Sequence, residues 1–107
     1  MQESHFHHLA DSWLTASQDA LEDADTQGVL DVDCEQGALT IALQSGAVYV
    51  VSKHAPSCQL WLSSPVSGGL HFAYDESSGA WRLPDGRTLP IVLSQELETA
   101  TGMKVEL

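Results

Sequence analysis

The chain has 107 residues, 43% of them hydrophobic, which suits one domain with one core and is too apolar for a disordered segment. Fifteen acids against four bases give a formal net charge of −11, a field that repels nucleic acid and anionic membrane and attracts metal cations or a basic protein surface. No apolar run reaches transmembrane length, and the opening MQESHFHHLADSWL has neither the basic-then-apolar pattern of a secretory signal nor the Arg-rich pattern of a transit peptide. The expected setting is the cytosol, or an organelle for a chain already processed.

Residues 4–25 carry apolar or small side chains at three- and four-residue steps: Phe6, Leu9, Ala10, Trp13, Ser17, Ala20, Leu21 and Ala24. That spacing predicts an amphipathic helix with Ser4 as N-cap and Gly28 beyond its end. His7, His8, Asp11, Gln18, Asp19, Glu22 and Asp23 lie off the stripe. Acids crowd the C-terminal end, where the helix dipole is already negative, and each costs about a few tenths of a kcal/mol.

Residues 29–35, VLDVDCE, alternate: Leu30, Val32 and Cys34 on one face, Asp31, Asp33 and Glu35 on the other. This predicts a half-buried strand with an acidic outer row. Alternation returns in 37–43, with Leu39, Ile41 and Leu43 inward, and a β-branched run follows at 47–53 after the Ser45-Gly46 turn. Pro56 breaks the pattern before a fourth strand, 58–64. There Leu60 and Leu62 share one face, and Gln59, Trp61 and Ser63 the other. A fifth strand is expected at 70–74 and a short sixth at 80–83, joined by the loop 75–79. A second helix begins after Thr88 as N-cap, with Pro90 in its first turn, Leu89, Val92, Leu93, Leu97 and Ala100 as its stripe, and Gly102 as its stop.

The order is helix, five or six consecutive strands, helix. Strands joined by short loops pair antiparallel, and each strand here has one apolar face. The expected fold is α+β: a two-layer α/β plait, 1–107 as a single domain, with both helices on one face of the sheet and the other face open. Trp61 then stands on the open face. A Trp in that position reads either as a protein contact or as a ring lying flat over neighbouring stems.

Nine of the fifteen acids precede Lys53, the first base. If the first strand lies at the sheet edge beside the first helix, Asp11, Asp19, Glu22, Asp23 and Asp25 merge with Asp31, Asp33 and Glu35 into one row without basic partners. Carboxylate oxygens are hard ligands suited to Fe²⁺, Fe³⁺, Mn²⁺, Mg²⁺ or Ca²⁺. On exposed elements they predict weak, multi-site, poorly selective binding; the alternative is a solvated face that confers solubility. His7, four residues before Asp11, is a marginal nitrogen ligand, while His5 and His8 read as plain surface residues. No catalytic motif appears: no buried di-iron Glu-x-x-His pair, no phosphate-binding Gly loop, no nucleophile elbow. Cys34 and Cys58 have no zinc or CxxC spacing, and Cys58 near His54 is weak evidence for a nucleophile.

CQLWLSSPVSG, with GALTIAL before it and AWRLPDGRTLPIVLSQEL after it, resembles the frataxin family, and SHFHHLADSWL with LEDAD and DVDCE resembles its bacterial members. The resemblance runs from about Ser4 to Leu97. It implies the frataxin plait, an iron-binding ridge at His7, Asp11, Asp19, Glu22, Asp23, Asp25, Asp31 and Asp33, and a partner face at Gln59, Trp61 and Ser63. It further implies association with the cysteine desulfurase and scaffold that build iron–sulfur clusters, with Glu22 and Asp23 contributing to docking. Iron would be weakly held as Fe²⁺ or Fe³⁺, with other divalent cations able to substitute. A monomer is expected, with iron-induced oligomers as a further state. Weak ferroxidase or iron-storage activity, and acidic docking with iron incidental, are the alternatives. Gln18, Ser57, Cys58 and His71 depart from residue types usual in the family.

Overall fold

The computed structural model describes all 107 residues. Helix α1 spans Glu3–Ala24 and is followed by β1 (Leu30–Glu35), β2 (Ala38–Leu43), β3 (Val48–His54), a 3₁₀ turn (Ala55–Ser57), β4 (Gln59–Ser64), β5 (Gly68–Asp75), β6 (Ala80–Arg82) and α2 (Leu89–Thr101). All six strands form one sheet in the order β1-β2-β3-β4-β5-β6, every neighbouring pair antiparallel. Short loops enforce this meander. The tightest is Gln36-Gly37, where φ is 51° and 76°, the left-handed pair that a two-residue hairpin requires.

Both helices lie on one face. From the sheet, Leu39, Ile41, Tyr49, Val51, Leu60, Leu62, Phe72 and Trp81 are buried against Phe6, Ala10, Leu14 and Leu21 of α1 and Leu89, Leu93 and Leu97 of α2. Burying a side chain of this size contributes about 1.5–3 kcal/mol, so this shared layer is the main source of stability. No helix is long and apolar enough to cross a membrane.

Local expectations needed four corrections. Helix α1 starts at Glu3 with Gln2 in the capping position and no side-chain cap, so Ser4 lies inside the first turn. Its stripe centres on Leu14, fully buried, whereas Leu9, Trp13 and Ala20 flank the stripe half-buried. Ala100 is exposed, and Leu97 is the last fully buried residue of α2. Cys58 precedes β4 instead of opening it: it closes the 3₁₀ turn in the left-handed conformation, φ 53° and ψ 47°. Thr88 and Gly102 do bound α2, Gly102 at φ 75°.

Candidate functional site

The sheet edge carries the acids. β1 is the outermost strand and α1 packs beside it. Leu30, Val32 and Cys34 turn toward the helices, so Asp31, Asp33 and Glu35 point the other way and are exposed. Asp19, Glu22 and Asp23 are exposed on α1. The two rows therefore lie on either side of one edge rather than facing each other. No three His, Cys, Asp or Glu side chains converge into a chelating cluster.

Three of the eight ridge candidates have other work. Asp25 is a structural hinge: Val29 N–H donates to its Oδ1 at 2.8 Å and Leu30 N–H to its Oδ2 at 2.9 Å. This carboxylate fastens the turn from α1 into β1. Asp11 is ion-paired with Lys53, Nζ to Oδ1 2.7 Å, which corrects the expectation of a row without a base. Lys53 shares the helix-facing side of β3 with Val51 and reaches Asp11 by crossing over Gly37. His7 packs on Phe6 with ring centroids 5.3 Å apart, and its Nε2 lies 3.4 Å from Glu3. Asp19, Glu22, Asp23, Asp31 and Asp33 make no such contacts and present free hard oxygens to solvent. A cation there would bind as cargo on a surface, consistent with donor chemistry suited to iron but without a closed cage.

The open face carries Trp61. Its indole stacks on His54 from β3 (ring centroids 3.8 Å, 12° between planes) and on His71 from β5 (4.0 Å, 9°). Trp61 Nε1–H donates to Gln59 Oε1 at 2.9 Å, and Ser57 Oγ donates to the same oxygen at 3.0 Å. That leaves Ser57 Oγ to accept from His54 Nδ1 at 2.6 Å. Gln59 and Trp61 thus form one assembly, whereas Ser63 is exposed further along β4 and takes no part.

Residues 1–103 match the family model described as a frataxin-like domain. The chain belongs to the frataxin family. It is 42% identical over 93 residues to the iron-sulfur cluster assembly protein CyaY of Pseudomonas aeruginosa, covering 85% of this chain and 81% of that one. The protein of the same name from Pseudomonas fluorescens is 45% identical over 84 residues, 77% of this chain and 72% of the relative. Among solved structures, a frataxin from Psychromonas ingrahamii superposes with a TM-score of 0.88 at 22% identity, covering 99% of this chain and 97% of that one. A trimeric yeast frataxin from Saccharomyces cerevisiae, complexed with ferrous iron, superposes at 0.77 with 31% identity, over 88% and 86% of the two chains.

The motif LWLSSPVSG occupies two distinct settings in this frataxin. Its Trp faces outward, but its second serine faces inward. Ser64 is buried; it accepts from the N–H groups of Val66 and Ser67 at 3.0 Å each and donates to Glu96 of α2. Ser67 donates to the other Glu96 oxygen at 2.8 Å. Burial and the Glu96 carboxylate push the nearby Tyr49 hydroxyl above its usual range. This clamp ties the β4–β5 turn to α2. Sequence reasoning missed it because its partners are 32 residues apart, though Pro65 after paired serines marked a turn. His54 was also missed as a companion of Trp61, since it lies diagonally across β3–β4. Cys34 is kept as a thiol: burial, then Asp11 and Asp33, push its pKa up.

Proposed function

We propose that this protein binds iron as weakly held surface cargo and regulates iron–sulfur cluster assembly by docking on the cysteine desulfurase and scaffold complex. The observation that carries the reading is the division of the surface. Five unpaired, exposed carboxylates (Asp19, Glu22, Asp23, Asp31 and Asp33) flank one sheet edge, and an ordered aromatic platform on Trp61 occupies the open face. The relatives' name, iron-sulfur cluster assembly protein, and the ferrous complex of the yeast frataxin support the same direction. Asp25 belongs to the ridge as a positioning residue, since both its oxygens are engaged; Asp11 keeps one oxygen free of Lys53, and His7 keeps Nδ1 unpartnered, as weaker ligand candidates.

Titration of the protein with Fe²⁺ under anaerobic NMR conditions is expected to perturb residues 18–35 first, strongest at Asp19, Glu22, Asp23, Asp31 and Asp33. Shifts spread evenly over the surface would sink the ridge assignment. Pull-down with the cognate desulfurase, with and without Fe²⁺, separates the two surfaces. Charge reversal of Glu22, Asp23, Asp31 and Asp33 should slow association most at low salt, whereas Trp61→Ala should weaken the complex at any salt. An unchanged complex in both variants would remove docking from the proposal.

A further inference from the structure

Lys53 reaches Asp11 along a path the β1–β2 hairpin prepares. Its Nζ lies 2.7 Å from Asp11 Oδ1, with the lysine side chain only 18% exposed. The stem runs over Gly37, where an added Cβ would meet Cε at 2.5 Å, and the Lys53 backbone N–H donates to Gly37 O at 3.0 Å. The hairpin therefore fixes the ammonium before it meets Asp11, so little side-chain entropy is lost in pairing. No Lys or Arg occurs on α1 itself, and the other ion-paired bases, Arg82 and Arg87, are held by Asp75 and Asp85.

That ammonium stands at one end of the acid row on α1. Asp11 and Asp19 border one shallow groove on the helix, with His8, Ser12, Thr15 and Ala16 between and beside them. Eight residues separate the two carboxylates, about 12 Å of helix rise, so no single cation bridges them. Asp19 shares a helix face with Glu22 and Asp23, three and four residues on. Asp11 has His7 four residues before it, whose Nδ1 is unpartnered, and its own Oδ2 is free of Lys53. In donor chemistry the N-terminal half of α1 therefore qualifies as well as the C-terminal half. What separates the halves is a fixed positive charge. A metal cation on Asp11 Oδ2 would stand one carboxylate's width from the Lys53 ammonium, and like charges at that range repel.

We propose that Lys53 is the residue that sets the boundary of the cation-binding ridge. Its ammonium, seated on Asp11, acts as a built-in cation that keeps metal off the N-terminal half of α1 and confines it to Asp19, Glu22, Asp23, Asp31 and Asp33. The proposal rests on reading those acids as the iron-binding surface, and adds the side chain that decides where along α1 the metal is held. It also gives the ion pair a consequence beyond tying α1 to the sheet. Metal reaches Asp11 only by displacing Lys53, so that position fills after the five free carboxylates.

The test titrates the full chain with Mn²⁺ and follows paramagnetic broadening of the NMR signals residue by residue. In the parent protein, His7 and Asp11 should broaden after Asp19, Glu22 and Asp23. In Lys53→Met, which keeps the stem but not the charge, His7 and Asp11 should broaden together with Asp19, at about threefold less Mn²⁺ than in the parent. Lys53→Arg, which keeps the charge, should keep the parent order. Lys104→Met makes the same change in net charge on an exposed tail residue, and should also keep the parent order. Adding Asp11→Asn to Lys53→Met should silence the new position. Early broadening of Asp11 in the parent, or the same Asp11 response in Lys53→Met as in the parent or as in Lys104→Met, would overturn the proposal. Failure of the ridge reading looks different: Asp19, Glu22, Asp23, Asp31 and Asp33 would then respond no earlier than the rest of the surface in any variant.

Discussion

Ser64 and Asp25 are short polar side chains that look interchangeable with their neighbours in sequence, and each holds a backbone turn. Removing the Ser64 hydroxyl leaves the Val66 and Ser67 N–H groups and the Glu96 carboxylate without their partner. Ser64→Ala is expected to cost about 1–3 kcal/mol, read from the urea midpoint. Asp25→Ala should likewise cost about 1–2 kcal/mol by freeing two backbone donors, in metal-free protein. Asp23→Ala, on an exposed carboxylate, should leave metal-free stability nearly unchanged; equal losses at both positions would refute the structural assignment of Asp25. Asp75 accepts from the Ser77 side chain and backbone, from Ser78 and from Arg82, and these hydrogen bonds hold its carboxyl well below the usual carboxylate range. A depressed folded-state pKa contributes stability above the ordinary aspartate value and loses it as pH falls further. The β5–β6 hairpin should therefore loosen as pH drops below about 4, and Asp75→Asn should flatten that acid dependence in a hydrogen-exchange profile.

At the scale of elements, α1 is built against its own dipole. Its last turn has no basic residue, and Glu22 and Asp23 stand at the negative end. Glu22→Lys, Asp23→Lys is expected to raise stability by about 0.3–1 kcal/mol at low ionic strength while weakening Fe²⁺-induced shifts on the ridge. A double variant no more stable than the parent would argue against a cost carried for function. The β1–β2 hairpin shows a second dependence between elements. Gly37 sits at φ 76°, and an added Cβ would come within 2.5 Å of Lys53 Cε. Gly37→Ala strains the turn by about 1–2 kcal/mol and displaces Lys53 from Asp11, so the thermal midpoint should fall and Asp11 should join the unpaired ridge carboxylates.

Across the whole molecule, a net charge of −11 is held on a chain with four bases, three of which pair with Asp11, Asp75 and Asp85. Self-repulsion of the remainder opposes compaction. Added NaCl is expected to raise the thermal midpoint by a few degrees through screening, and a cation that binds the ridge should raise it further at equal ionic strength. If millimolar Mg²⁺ or Mn²⁺ did no more than matched NaCl, binding at the ridge would lose its support.

The alternation of Leu30/Val32/Cys34 with Asp31/Asp33/Glu35, the helix spacing at both ends and the short loops between strands determined the layers, the meander and the outward position of Trp61, because hydrophobic period and loop length act locally. The motifs were enough to point to the family. What only the tertiary structure decided depends on contacts between distant segments. Lys53 neutralises Asp11 because Gly37 gives it room to cross, and Asp25 is spent on a turn. The strand acids face away from the helix acids, and Trp61 is closed between His54 and His71. Such pairings follow from register and from the direction of each side chain after the sheet has formed, and no spacing along the chain encodes them.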